Sequence, residues 1–223
     1  MNYEYILSEL SKGIVCTLEL TALVFIGGFL FGFILSVGRT YGSRFIRWLS
    51  IGYIELIRGT PMLLQILIIG FGLPIAIRNY YPDFTINSFW AVTIAMILNS
   101  GAYQAEYFRG AIQSIPEGQM MAARAIGMTK FKAILNVIIP QALRVVIPSW
   151  SNELIYTLKY SSVAYIIGAP ELMAQAKFIT AENFRYFEVF LVVAFIYLVI
   201  VSILSWVLRI VEKKVKIPGL QAV

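Results

Sequence analysis

The chain has 223 residues, 59% of them apolar and only 13% charged, with a mean hydropathy of +0.78, a balance that excludes a soluble domain and predicts an integral membrane protein. It contains no histidine, which removes imidazole proton relays, imidazole-held metals and histidine-assisted nucleophiles, and no Gly-x-x-x-x-Gly-Lys-Ser/Thr loop with which to hydrolyse ATP. The net charge of +6 asks for no nucleic-acid partner, because most of the basic excess lies at membrane flanks beside anionic lipid headgroups. The single cysteine, Cys16, sits in an apolar run and reads as a small buried hydrophobe.

A hydrocarbon core of about 30 Å takes roughly 20 residues of helix to cross. Apolar runs of that length lie near 14–37, 49–73, 89–112, 134–156 and 187–210, so one membrane domain over residues 1–223 with five crossings is expected. The amino-terminal stretch MNYEYILSELSK has no basic region ahead of its apolar run and no A-x-A site, so the first span is expected to be retained.

In that first span Gly28 and Gly32, extended by Ser36, form a small-residue surface on which a second helix can approach closely, within the subunit or between subunits. The second span carries Glu55 and Arg58, the third Glu106 and Arg109, each pair at i, i+3 on one helix face, where the charges are expected to pair and orient helices. Asn99 and Tyr103, a turn apart on the third span, offer an amide and a phenol that suit a zwitterion or an interhelical hydrogen bond. Trp48, Trp90, Trp150 and Trp206, with Tyr80 and Tyr81, lie near span boundaries and read as interfacial anchors.

Between the third and fourth spans runs a patterned polar segment, SIPEGQMMAARAIGMTKFKAILNVIIPQ. Ser114 and Glu117 around Pro116 read as a capping box, Gly127 ends the helix they start, and Thr129 caps the next one. Ala122, Ala123 and Ala125 make a surface that another backbone can approach. In the fourth span Pro140 and Pro148 predict a broken helix, tolerated at membrane depth only where protein or water satisfies the freed groups, so this region is expected to line a path. Glu153 in it is a candidate partner for an ammonium group or for Lys159. Eleven Lys and Arg residues fall on the side of the first loop, the central loop and the tail, against five on the other, which puts the amino terminus outside and the tail inside.

The central segment, with Ala122, Ala123, Gly127, Ile138 and Pro140 on the pattern, resembles the cytoplasmic coupling loop of ABC importer permeases. YIELIRGTPMLLQ, NSGAYQAEYFRGAIQSIPEGQ, PQALRVVIPSWSNE and TLKYSSVAYIIGAPELM are similar in order to strings of the polar amino-acid uptake subfamily. The resemblance implies an all-α, five-transmembrane-helix, type I (MetI-like) permease with a cytoplasmic coupling helix in a loop at about 114–132. It implies no cofactor and no catalytic or metal-binding residue, with ATP hydrolysis on a separate subunit. The implied machine has two ATP-binding cassette ATPase subunits, a second permease subunit, identical or related, and an extracytoplasmic amino-acid-binding protein, in a prokaryotic cytoplasmic membrane. Met121, Ala122, Ala123, Arg124 and Gly127 are the implied contacts to the ATPase, and Asn99, Tyr103 and Glu153 the candidate solute contacts. Met121 stands where the family has glutamate, and Tyr160 where it often has an acid, which removes a charge from the outer mouth. A self-sufficient channel or carrier working through Glu55, Glu106 and Glu153 is the rival reading; a membrane enzyme lacks a catalytic constellation.

Overall fold

A computed structural model describes residues 3–215, so Lys216 of the basic tail and the first two residues of the amino-terminal stretch lie outside the described residues. All regular structure there is helical, in nine helices. The first, α1 (Tyr3–Tyr41), is followed by α2 (Arg44–Arg58). The chain then turns by 101° into α3 (Met62–Arg78). Next come α4 (Ser88–Gln113), the short α5 (Glu117–Ala125) and α6 (Lys130–Val145). A 54° bend separates α6 from α7 (Ile147–Tyr160), which continues through the 3-10 turn Ser161–Ile167. α8 (Leu172–Asn183) and α9 (Tyr186–Val215) complete the chain.

Helices α1 and α9 are each long and apolar enough to cross a membrane alone, whereas α2 with α3, and α6 with α7, pass only as bent pairs. The second and fourth expected spans are therefore not single rods, and both breaks have a proline behind them. Pro61 pushes Thr60 out of the helical region, so α2 stops at Arg58. Pro74 and Pro140 lack the N–H that a carbonyl four residues back would need. Ahead of each, the helix widens into a π turn, at Ile68–Gly72 and at Ile134–Ile138. The break between α6 and α7 falls at Val146, two residues ahead of Pro148. No helix was expected between residues 161 and 186, where α8 stands; it is capped by the fully buried Glu171, whose carboxylate accepts from the Met173 and Ala174 N–H groups.

Packing centres on α4, half of whose 26 residues are buried. It lies along α1, and the small-residue row of α1 sets the approach. A Cβ at Gly32 would fall 2.7 Å from the Gly101 carbonyl oxygen and 2.9 Å from the Ala105 nitrogen. One at Gly28 would fall 2.7 Å from the Gln104 side chain. The Gly-x-x-x-Gly surface thus packs within the chain. One half of α4 joins α1, α3 and the 3-10 turn through Ala91, Val92, Ala95, Met96, Leu20, Val24, Ile66 and Ile167. Its other half joins α6 through Phe108, Ala111, Ile112, Ile138, Ala142 and Val145. A third cluster holds α8 and α9 against α1. Outward, α9 buries only Val189 and Val193 and exposes Leu191, Phe195, Ile203 and Trp206, the exposure expected of a lipid-facing helix.

Candidate functional site: a polar cavity between α2, α4 and α7

The break between α2 and α3 opens a cavity of about 700 Å³. Its walls are the elbow itself (Arg58, Thr60, Met62), one face of α4 (Met96, Asn99, Tyr103, Tyr107) and α7 (Glu153, Tyr156, Thr157, Tyr160). Asn99, Tyr103 and Glu153, widely separated in sequence and on two helices, are brought together here. The path-lining part of the fourth span is α7 beyond its break; the break at Val145, Val146 and Ser149 faces a separate space of about 150 Å³.

Each wall is held by a polar network. At the elbow, the buried Gln65 amide donates to the Ile57 carbonyl (2.8 Å), the Thr60 carbonyl (3.1 Å) and the Thr60 hydroxyl (2.8 Å), satisfying groups that the broken helix frees. Its oxygen accepts from the Asn99 amide at 2.9 Å. Asn99 therefore ties α4 to the elbow while lining the cavity. Across the cavity Glu153 is 7% exposed, and its carboxylate accepts from the Ser100 hydroxyl at 2.7 Å. Ser100 in turn accepts from the Gln104 amide at 3.0 Å, and the Gln104 oxygen accepts from the Trp150 indole N–H at 2.5 Å. Trp150 is not an interfacial anchor: its ring packs against Phe25, Phe29 and Phe108 at centroid distances of 5.4, 4.4 and 5.3 Å. Trp48, Trp90, Trp206, Tyr80 and Tyr81 are exposed, as anchors would be.

The expected Glu55–Arg58 pair does not form. Glu55 is exposed, and Arg58 turns to α4, where its guanidinium lies 5.3 Å above the Tyr103 ring and 3.8 Å from Glu106. The Glu106–Arg109 pair does form, through Arg109 Nε and Nη2 at 3.1 and 2.9 Å from Oε2. Arg39, at the end of α1, donates to the other oxygen of Glu106. Nothing in the sequence pointed to Arg39 here, since at the end of a span it counted only as a loop charge. Three guanidiniums from α1, α2 and α4 thus converge on one carboxylate. Glu153, expected to meet either a solute or Lys159, has no cation within ion-pair distance among the described residues. The Lys159 ammonium lies 4.6 Å from the centre of the Tyr156 ring.

Beyond α4 the expected capping box is absent. Pro116 occupies the cap position of α5 without a side-chain bond, and Ser114 instead donates back to the Ala111 carbonyl at 2.8 Å. The rest of the elbow follows its pattern. Gly127 ends α5 at φ +87°, its N–H bonding the Arg124 carbonyl and the Met128 N–H the Ala123 carbonyl, the paired bonds of a Schellman ending. Thr129 then caps α6. Met121, Ala122, Arg124 and Gly127 are exposed, as are the apolar Ile126 and Phe131, at 77% and 72%. Ala123 is not; at 4% exposure it is turned inward against the rest of the chain.

A helical membrane fold with proline-broken spans around a polar cavity is that of a transport permease. Two inward-facing structures of the MetNI methionine ABC transporter share this fold, at TM-scores of 0.77 and 0.79 and 19% identity, covering 96% of this chain and 99% of theirs. An amino acid ABC transporter crystallised with histidines matches at a TM-score of 0.86 and 36% identity, over 95% of this chain and 96% of that one. The chain belongs to the family of binding-protein-dependent transport system inner membrane components, which matches residues 28–217. The glutamine transport system permease protein GlnP of Escherichia coli strain K12 is 38% identical over 208 residues, 93% of each chain. The arginine transport system permease protein ArtQ of Bacillus subtilis strain 168 is 35% identical over 205 residues, 92% of this chain and 91% of its own.

Proposed function

We propose that the chain is the transmembrane permease subunit of an ATP-driven importer of polar amino acids, crossing the bacterial cytoplasmic membrane five times with its amino terminus outside. The crossings are α1, the α2–α3 pair, α4, the α6–α7 pair and α9. Two such subunits, identical or related, form the pathway. Two ATPase subunits dock from the cytoplasm on α5, and a binding protein delivers the amino acid from outside. The chain catalyses no covalent step: ATP-driven movement of α5 switches the cavity between outward-open and inward-open states.

The single observation that carries this reading is the cavity, in which Asn99, Tyr103 and Glu153 converge at a broken helix in the membrane. The glutamine and arginine permeases among its relatives support the solute class, and the exposed patch around Met121, Ala122, Arg124 and Gly127 supports the docking site. Ala123, 4% exposed, supports α5 from beneath. The reading is tested by reconstituting the chain with its co-purified ATPase in liposomes. Uptake of labelled glutamine or arginine that requires both ATP and a loaded binding protein is expected. Uptake by the chain alone, driven by an ion gradient, would overturn it.

A further inference from the structure

Glu55 sits on the face of α2 that the rest of the chain leaves bare. That helix buries only Ser50 and Ile54, and its outer face carries Trp48, Gly52, Glu55, Leu56 and Gly59, successive at helical spacing and all exposed. Tyr53 donates to the Leu98 carbonyl at 2.9 Å, midway along α4, and Arg58 reaches Tyr103 and Glu106 further along. Glu55, between those two anchors, is therefore held at the depth of the third crossing. A carboxylate at that depth is costly in lipid and calls for protein or water around it. Among the described residues no cation lies within ion-pair distance of it.

The opposite surplus lies three residues away. Arg39, Arg58 and Arg109 share the Glu106 carboxylate, which leaves two positive charges uncompensated. Arg39 and two nitrogens of Arg109 already occupy Glu106, so Arg58, the most exposed of the three, comes only to 3.8 Å. The bare face is also thin. A Cβ at Gly52 would meet nothing within 4 Å, and one at Gly59 only the Glu55 and Leu56 backbone of its own helix, so another backbone can come close there.

We propose that α2 packs against α2 of a second, identical copy, with Glu55 of each copy facing the under-neutralised arginine cluster, at Arg58, of the other. The proposal rests on two subunits forming the pathway, and it names the face and the ion pair that join them. A two-fold axis makes every contact reciprocal. A protomer with an unpaired acid and a surplus of cations on one face therefore complements itself: the dimer forms the pair twice and leaves one uncompensated charge in each cluster instead of two. Hydrocarbon offers Glu55 no counter-charge, and a related subunit would have to carry both halves of the pair to replace the second copy. Arg58 is the last residue of α2, so the pair also fastens the elbow of one copy to the helix of the other.

The complex of this chain with its ATPase, embedded in lipid nanodiscs, is prepared from Cys16→Ser chains that carry either Gly52→Cys or, on the outward face of α9, Ile203→Cys. A short bifunctional thiol reagent should join two copies through position 52 and not through position 203. Adding Glu55→Arg to the Gly52→Cys chain should slow that cross-linking by about tenfold or more, with labelling by a monofunctional reagent unchanged. Adding Arg58→Glu as well exchanges the two charges and should recover it. If either charged variant fails to assemble, the comparison of positions 52 and 203 decides. Absence of the cross-link at 52, equal cross-linking at 203, or no recovery on charge exchange overturns the proposal. Two copies per complex by native mass spectrometry would then leave the transport reading standing, and a single copy per complex overturns both.

Discussion

Replacing Gly32 with alanine should separate the two central helices. Its Cβ would lie 2.7 Å from the Gly101 oxygen and 2.9 Å from the Ala105 nitrogen, both backbone atoms that no rotamer change can move. Ordinary contact begins at 3.4 Å, so α1 and α4 would have to part by about 0.7 Å in an interior packed as densely as a crystal. Overpacking of that kind costs about 1–3 kcal/mol, which in a chain of this size lowers a melting midpoint by roughly 4–8 °C for 2 kcal/mol. The assay is the fraction of detergent-solubilised chain that stays monodisperse after heating. Two companions calibrate it. Gly28→Ala meets only side chains, those of Gln104 and Ser100, and should fall between wild type and Gly32→Ala. Gly110→Ala has nothing within 4 Å and should gain about 0.8–1 kcal/mol from helix propensity alone. If Gly32→Ala melts with wild type while Gly110→Ala is stabilised, the close approach is not what holds these helices together.

Gly127→Ala places a side chain at φ +87° in open space, so its cost is purely conformational, about 1–2 kcal/mol; ATPase activity stimulated by the binding protein should fall with insertion unchanged, and full stimulation would count against the elbow as the docking point. Gln65→Leu keeps the bulk at the break but leaves the Thr60 carbonyl and the Asn99 amide without their Gln65 partner and weakens the bonding of the Ile57 carbonyl, an expected loss of about 1–3 kcal/mol in heated monodispersity. Glu106→Gln strips three guanidiniums of the one carboxylate they share and should cost about 3 kcal/mol or more; Arg39→Met alone should cost less, because Arg109 and Arg58 retain their anion. Equal melting of the two variants would show that the cluster is not organised around Glu106.

Apolar run length alone located α1, α4 and α9, and turn chemistry located the end of α5 at Gly127 and the start of α6 at Thr129, because both signals are local. The elbow at residues 59–61 was also written in the chain, as Thr60 ahead of Pro61, but an unbroken apolar run on either side concealed it. Partners contributed by distant segments were not legible. Arg39 meets Glu106 across 67 residues, and nothing about a basic residue at a span end distinguishes a loop charge from a buried one. Trp150 was misplaced for the same reason: tryptophan near a boundary usually marks the interface, yet the residue that claims this one, Gln104, lies on another helix. Asn99, Tyr103 and Glu153 could be singled out because polar groups inside a span demand protein or water around them. Arg58 belonged with them, and the nearby Glu55 hid it by offering a plausible partner in sequence.

The seating of Trp150 gives the molecule a built-in optical reporter. Its indole is wedged among three phenylalanine rings while donating to Gln104, so its emission depends on α7 remaining pressed to α1 and α4. Any swing that parts those helices must strip the rings away or release the donor, and either event recolours the fluorescence of that one side chain. With Trp48, Trp90 and Trp206 replaced by phenylalanine, the conformational cycle could be watched in real time with no dye attached.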